Sequence, residues 1–522
     1  MTRANPNVRF LFTHGITLGK SNLPNTIQLL DMLLGTNMTV YNWSALTNNQ
    51  SINFSGSSDQ LNFDLSTISA SSVLMTWTST TIVTFTYNGQ SVTLTGTDVK
   101  SLTTTNLIFA NGSVYAVGDN TVGLSADDSA NTLIGSAQND SLLGLGGNDT
   151  ISAGAGDDVI LVGYNSLTIG NDSIDGGSGS DRLVYVSNNS STPAVTANLA
   201  THTATSSQGI LTLTSIERIY GTLQNDTFLG GDPSHATDGS GNSSTEVFRG
   251  NGGNDTITGG SPANFRTAAD YSNNASTQGI IANLGTGVVT DGLGGTDTIS
   301  NVQQILGGAG KDQFIGGDPK DARDTSGNII SEVFRGGGGD DTITGALAPN
   351  YRTIADYITS SQAIKANLSI GTVSDGLGGT DTISNVQWIW GGAGNDQIIG
   401  GDPKDAIDAL GNGNYEIFRG NAGNDAITGG AGVNFNTVSD YSNDASNQVV
   451  IANLQTGLVI DGLGGIDTLT NVSRIWGGSG NDQLTGGSLT IGSNGIFYEV
   501  FRGNAGNDVI NGNNAHSDGE LS

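Results

Sequence analysis

Glycine and aspartate recur in this chain at a fixed distance from a single aliphatic residue. No other feature limits the fold so tightly. Asp140, Asp149 and Asp158 are nine residues apart, and Leu142, Ile151 and Ile160 each follow two residues later. Asp172 with Ile174 and Asp181 with Leu183 resume the register after an insertion of about five residues. A nine-residue row with a tight turn and one inward aliphatic cannot bury that aliphatic alone. Stacked rows can, and the pattern predicts a parallel β-roll or β-helix.

A longer period lies over the short one. "VFRGNGGNDTITGG" at 247 returns as "VFRGGGGDDTITGA" at 333, "IFRGNAGNDAITGG" at 417 and "VFRGNAGNDVINGN" at 500. Asp270-Tyr271 recurs as Asp356-Tyr357 and Asp440-Tyr441. A more divergent copy ends at Asp226. Tandem units that share one row pattern pack best as a continuous rod. The expected division is 1–38, a tail and short helix; 39–122, a β-rich hairpin module; and 123–246, the regular rows with the divergent copy. Three modules follow at 247–332, 333–416 and 417–499, with a partial one at 500–522.

The composition agrees with a repeat and says what the turns are for. The 522 residues include 79 glycines and no cysteine, so no disulfide supports the fold. The net charge is −30, and only six of the 48 acidic residues are glutamate. Aspartate is the acid of turns and of hard cations. The same charge repels nucleic acid phosphates. Glycine folds tightly enough to aim main-chain carbonyls to one side. Carbonyl and carboxylate oxygens suit Ca²⁺, which takes ~6–8 of them. One turn supplies too few, so an ion is expected between two stacked turns, as between Asp140 and Asp158, and folding should be coupled to binding.

The candidate ligands are therefore Asp140, Asp149, Asp158, Asp172, Asp181, Asp255, Asp297, Asp312, Asp341, Asp381, Asp396, Asp425, Asp467, Asp482 and Asp508. The turn glycines Gly144, Gly147, Gly154, Gly156, Gly176 and Gly179 accompany them. The block from 144 to 181 keeps the full register. In the longer modules it is broken, Asp297 and Asp312 being only 15 residues apart.

"GLGGNDTIS" (144–152), "AGAGDDVIL" (153–161) and "GGSGSDRLV" (176–184) resemble the RTX, or haemolysin-type, calcium-binding repeat, pattern GGxGxDxUx. Leu145 and Ala153 depart from it. The resemblance places Asp149, Asp158 and Asp181 on the ligand aspartate. It implies multiple Ca²⁺ ions, export by a type I system and folding outside the cell. Proteases, lipases, toxins, adhesins and surface-layer proteins all carry such repeats, so it is specific for fold and cation rather than for activity.

Ahead of the rows, "NLPNTIQLLDMLLG" reads as one short helix, with Pro24 near its start and Gly35 at its end. Asn88-Gly89, between alternating Val83, Phe85, Tyr87 and Val92, Leu94, is a type I′ hairpin signal, and Asn111-Gly112 reads as a second. Glu246, Glu332, Glu416 and Glu499 each precede a Phe and an Arg. The expectation is a core Phe with Glu and Arg paired on the surface, and calcium ligation by Glu is the alternative. Trp388, Trp390 and Trp476 read as core or surface filler, and an exposed face for sugars or a neighbouring subunit is the alternative.

No catalytic set emerges. His14, His202, His235 and His516 are scattered, and neither HExxH nor GxSxG occurs. There is no run of 18 apolar residues, so no transmembrane helix is expected, and the opening residues do not read as a signal peptide. The expectation is an all-β, calcium-stabilised solenoid and a non-enzymatic structural protein of the bacterial cell surface, most simply a surface-layer subunit. Its partners would be other copies of itself and a cell-surface polysaccharide. The alternative is a secreted adhesin or matrix protein that binds glycans.

Overall fold

A computed structural model describes residues 38–163, 169–186, 192–231, 245–260, 266–275, 277–317, 331–346, 352–401, 415–430, 436–442, 448–487 and 499–512. The expected helix at 24–35 lies outside these residues. From Tyr115 onward the chain winds between two facing sheets, laying one short strand in each on every turn. It is a parallel β-roll. Among the described residues the first sheet has 15 strands, beginning with Tyr115–Val117, Ser141–Leu143, Val159–Val162 and Arg182–Tyr185 and ending with Val500–Arg502.

Register follows from the aliphatic two residues after each aspartate. Leu142, Ile160, Leu183 and Ile219 stack directly on one another. In the opposite sheet Leu133, Ile151, Ile174 and Leu213 do the same. All eight point between the sheets and are buried. In the later modules Phe248, Phe334 and Phe418 occupy the same inward positions. Phe248 stacks on Phe228 with ring centroids 5.4 Å apart, and Phe314 meets Phe334 at the same distance.

Each long module inserts a meander into the second sheet. Thr256–Thr258 pairs in parallel with Thr296–Ser300. That strand runs antiparallel to Val288–Thr290, which runs antiparallel to Ile281–Asn283. Ile281–Asn283 then pairs in parallel with Gln313–Ile315, and the roll continues. Val373 and Val459 repeat the inward position of Val289 at the centre of the meander. The broken register of the sequence is thus two extra strands laid within the sheet.

The region before the roll is a separate layer with its own core. Ile82–Tyr87 and Gln90–Thr95 form the expected hairpin, with Tyr87 opposite Gln90 and positive φ at Asn88 (47°) and Gly89 (79°). Asn111-Gly112 does not close a second hairpin. Only Gly112 has positive φ there, whereas a type I′ turn needs it at both central residues. The flanking strands enter different sheets, Leu107–Phe109 beside Asp59–Phe63 and Tyr115–Val117 beside Ser141–Leu143. Trp43, Phe63 and Phe109 stack in this core, which extends onto Leu143 and Leu145 of the roll.

The hairpin offers a small, local test. A Cβ on Gly89 meets nothing within 4 Å, so Gly89→Ala is penalised only by its left-handed backbone. It should cost about 1–2 kcal/mol, seen as a small shift in chemical denaturation.

Candidate metal centre

The aspartates sit where each strand begins, two residues before the core aliphatic and on the same face of the chain. They form columns at the edge of the core. In the first column the Asp140 N–H donates to Asp158 Oδ1 (2.7 Å), the Asp158 N–H to Asp181 Oδ1 (2.9 Å), and the Asp181 N–H to Glu217 Oε2 (2.8 Å). One oxygen of each carboxylate therefore ties its turn to the row before.

The opposite edge repeats the arrangement in short groups. Asp149 bonds to Asp172 (2.8 Å). Asp226, Asp255 and Asp297 form one run, at 2.7 and 2.8 Å. Asp312, Asp341 and Asp381 form the next, at 2.8 and 2.9 Å, and Asp396, Asp425 and Asp467 another, at 2.7 and 2.9 Å. Asp482 and Asp508 close the series at 2.9 Å. Asp297 and Asp312 do not partner each other: the meander separates them, and their row neighbours are Asp255 and Asp341.

The second carboxylate oxygen is the chemically informative one. Oδ2 of Asp149, Asp158, Asp181, Asp255, Asp341, Asp425 and Asp482 is buried and has no hydrogen-bond partner. Except at Asp158, whose turn opens with Ala153, it lies against the glycine that opens its own turn. A Cβ on Gly144 would stand 2.6 Å from Asp149 Oδ2, and one on Gly176 would stand 2.6 Å from Asp181 Oδ2. Gly154, Gly156, Gly147 and Gly179 instead bring the main chain against the neighbouring row, each with a positive φ. An ionised oxygen held this way demands a cation or a proton.

The acidities say the same. Burial, reinforced by neighbouring carboxylates, pushes Asp158, Asp255, Asp341 and Asp425 up to about 8. Burial raises Asp149 and Asp181 to about 7, although each accepts a main-chain hydrogen bond that opposes the shift. Among the described residues no three carboxylate or imidazole side chains close on one point. Side chains alone do not complete a coordination sphere, and main-chain carbonyls of the glycine turns must supply the remaining donors. That donor set, oxygen only and rich in carbonyls, fits Ca²⁺.

The model of the RTX calcium-binding nonapeptide repeat matches residues 125–160, 168–185, 240–261, 326–347, 387–409, 410–435, 473–488 and 499–516. This is an RTX repeat protein. Its repeats bind calcium, and with so many copies the RTX roll holds several ions. Such repeats are typical of secreted proteins, and no described helix is long and apolar enough to cross a membrane. No curated protein matches the chain.

Several residues of this RTX roll were not legible beforehand. Glu217, Glu246, Glu332 and Glu416 continue the first column, in register with Asp181 above them. The Glu246 carboxylate is buried and accepts from the Gly231 N–H (2.6 Å), and burial raises it to about 7. Among the described residues the expected surface pairs Glu246–Arg249 and Glu416–Arg419 do not form. Arg249, Arg335 and Arg419 bond instead to Asp270, Asp356 and Asp440 at 2.7, 2.6 and 2.5 Å. Residues three apart on a strand face opposite sides, so Glu246 turns inward and Arg249 outward. Trp390 is half-buried on that outer face beside Arg419 (5.1 Å), and Trp476 beside Arg502 (4.5 Å).

Proposed function

We propose that this protein is a calcium-dependent structural component of the bacterial cell surface, a self-assembling surface-layer subunit exported by a type I system. The carrying observation is that the described chain from Tyr115 to Asn511 is one roll with calcium-type carboxylate columns along both edges. Calcium then acts as a fastener: it neutralises stacked carboxylates and locks each row to the next. Repetition supports assembly, because successive modules present an outward row of Asp, a large apolar residue and Arg. Asp270, Leu306 and Arg335 are followed in register by Asp356, Trp390 and Arg419, then by Asp440, Trp476 and Arg502. The RTX repeat itself is a calcium-binding structural element.

Glycan binding by an adhesin has less support. Its natural platform would be the tryptophans, and arginine side chains already cover them: Arg266 and Arg419 over Trp390, Arg352 over Trp388.

Electron microscopy of the purified full chain tests the proposal. Ordered sheets or filaments are expected with calcium and none after chelation. Dispersed single particles under both conditions would reject self-assembly, and retention on cell-surface polysaccharide by such particles would favour the adhesin.

A further inference from the structure

The meander carries a carboxylate that the nonapeptide pattern does not include. Asp291 opens the turn "DGLGG" between Val288–Thr290 and Thr296–Ser300. Its Oδ1 accepts from the Leu293 N–H (2.7 Å) and the Gly295 N–H (2.8 Å). Its Oδ2 is buried and has no partner, and the residue is 0% exposed. Asp375 and Asp461 repeat every part of this. Their Oδ1 atoms accept from Leu377 and Gly379 (2.8 and 2.9 Å) and from Leu463 and Gly465 (2.9 and 2.8 Å). Their Oδ2 atoms are likewise buried without a partner, at 0% exposure.

The unpartnered oxygen faces a main-chain carbonyl of the preceding row. A Cβ on Gly295 would stand 2.6 Å from Asp291 Oδ2 and would overlap the Gly253 carbonyl oxygen, so these two oxygens flank one small space. Gly379 shows the same pair, Asp375 Oδ2 at 2.8 Å with the Gly339 carbonyl, and Gly465 shows Asp461 Oδ2 at 2.6 Å with the Gly423 carbonyl. Two residues after each of those carbonyls stands a ladder aspartate with its own orphaned Oδ2: Asp255, Asp341 and Asp425. Asp291, Asp375 and Asp461 are among the carboxylates that raise these three. The third acid nearby is already engaged. Asp297 Oδ2 accepts from the Tyr271 hydroxyl (2.8 Å), Asp381 from Tyr357 (2.9 Å) and Asp467 from Tyr441 (3.0 Å).

We propose that each long module holds an additional divalent cation of the calcium class, bound between the meander turn and the preceding row by Asp291, Asp255 and the Gly253 carbonyl. Asp375, Asp341 and Gly339 form the second such site, and Asp461, Asp425 and Gly423 the third. Two anionic oxygens with a main-chain carbonyl in a glycine-lined space suit a large, hard ion that completes its shell with water. The ion pins the meander turn to the row before it, adding to the Asp255–Asp297 link of the column. The site leans on the calcium reading of the columns only through its shared ladder aspartate, and it does not depend on assembly.

The test is Asp291→Asn, Asp375→Asn and Asp461→Asn combined in the full chain. Asparagine keeps the Oδ1 that holds the turn and removes only the free anionic oxygen. Bound calcium is counted by equilibrium dialysis. The expected result is one ion fewer for each substituted module, together with loss of the terbium luminescence sensitised by Tyr271, Tyr357 and Tyr441. An unchanged ion count overturns the proposal. If the triple variant does not fold, Asp375→Asn alone must lose one ion, and an unchanged count again overturns it. Asp149→Asn with Asp158→Asn is the control for the columns. It should lower the count while leaving the tyrosine-sensitised signal intact; loss of that signal would assign it to the columns and reject a separate site.

Discussion

Stripped of calcium, the roll should be most stable in acid and should weaken steadily as the pH rises through about 6 to 8. The direction follows from the carboxylates. Asp172, Asp226, Asp297, Asp312, Asp381 and Asp396 are raised by burial to about 6. Asp149 and Asp181 reach about 7, and Asp158, Asp255, Asp341 and Asp425 about 8. In the unfolded chain an aspartate titrates near ~3.9. The folded state therefore binds protons more tightly than the unfolded one. Its stabilisation is complete below about pH 4 and is lost as each folded-state value is passed.

Calcium reverses the slope. The ion needs the deprotonated ligand, so its binding strengthens as protons leave. Thermal unfolding followed by circular dichroism should give opposite trends in dialysed and calcium-saturated protein between about pH 5 and 8. A metal-free chain as stable at about pH 8 as at about pH 5 would mean that the buried carboxylates find other compensation.

How much of this was legible in the sequence depends on whether the chain signals locally or through partners far along it. The rows from Asp140 to Leu183 were legible because turn, aspartate and aliphatic lie within nine residues, and stacking adds no further unknown. The partners of Asp255 and Asp312 were not. Asp255 pairs with Asp297, 42 residues on, and Asp312 with Asp341, 29 residues on. No local spacing announces how many strands a meander will place between two rows. Asp291 was hidden for a related reason: its turn looks like a hairpin loop, and only the fold brings it beside the Gly253 carbonyl of the preceding row. Glu246 was misread because its neighbours "VFR" carry no glycine turn, although strand parity already set Glu246 and Arg249 on opposite faces.

The glycines of "GGSGSD" make the sharpest demand on the sequence, and Gly177→Ala should be among the most damaging single changes in the chain. Gly177 has a φ of 97° and stands in register with Gly154 of the adjacent row. A Cβ there would overlap the Gly154 carbonyl oxygen, a main-chain atom that cannot swing aside. Two penalties combine: a left-handed backbone and a forced separation of rows whose hydrogen bonds hold the roll. Together they should cost roughly 3–5 kcal/mol. Gly294→Ala separates the two effects. Gly294 has a similar φ of 105°, but nothing lies within 4 Å of its added Cβ. It should show the backbone penalty alone, roughly 1–3 kcal/mol. Calcium titrations should diverge as well, because parting the rows at Gly177 moves Asp181 away from Asp158, whose N–H it accepts at 2.9 Å. Gly177→Ala should therefore need more calcium to fold, while Gly294→Ala should follow the wild-type titration. Equal losses in the two variants would show that backbone conformation, rather than the approach of one row to the next, is what glycine supplies at this turn.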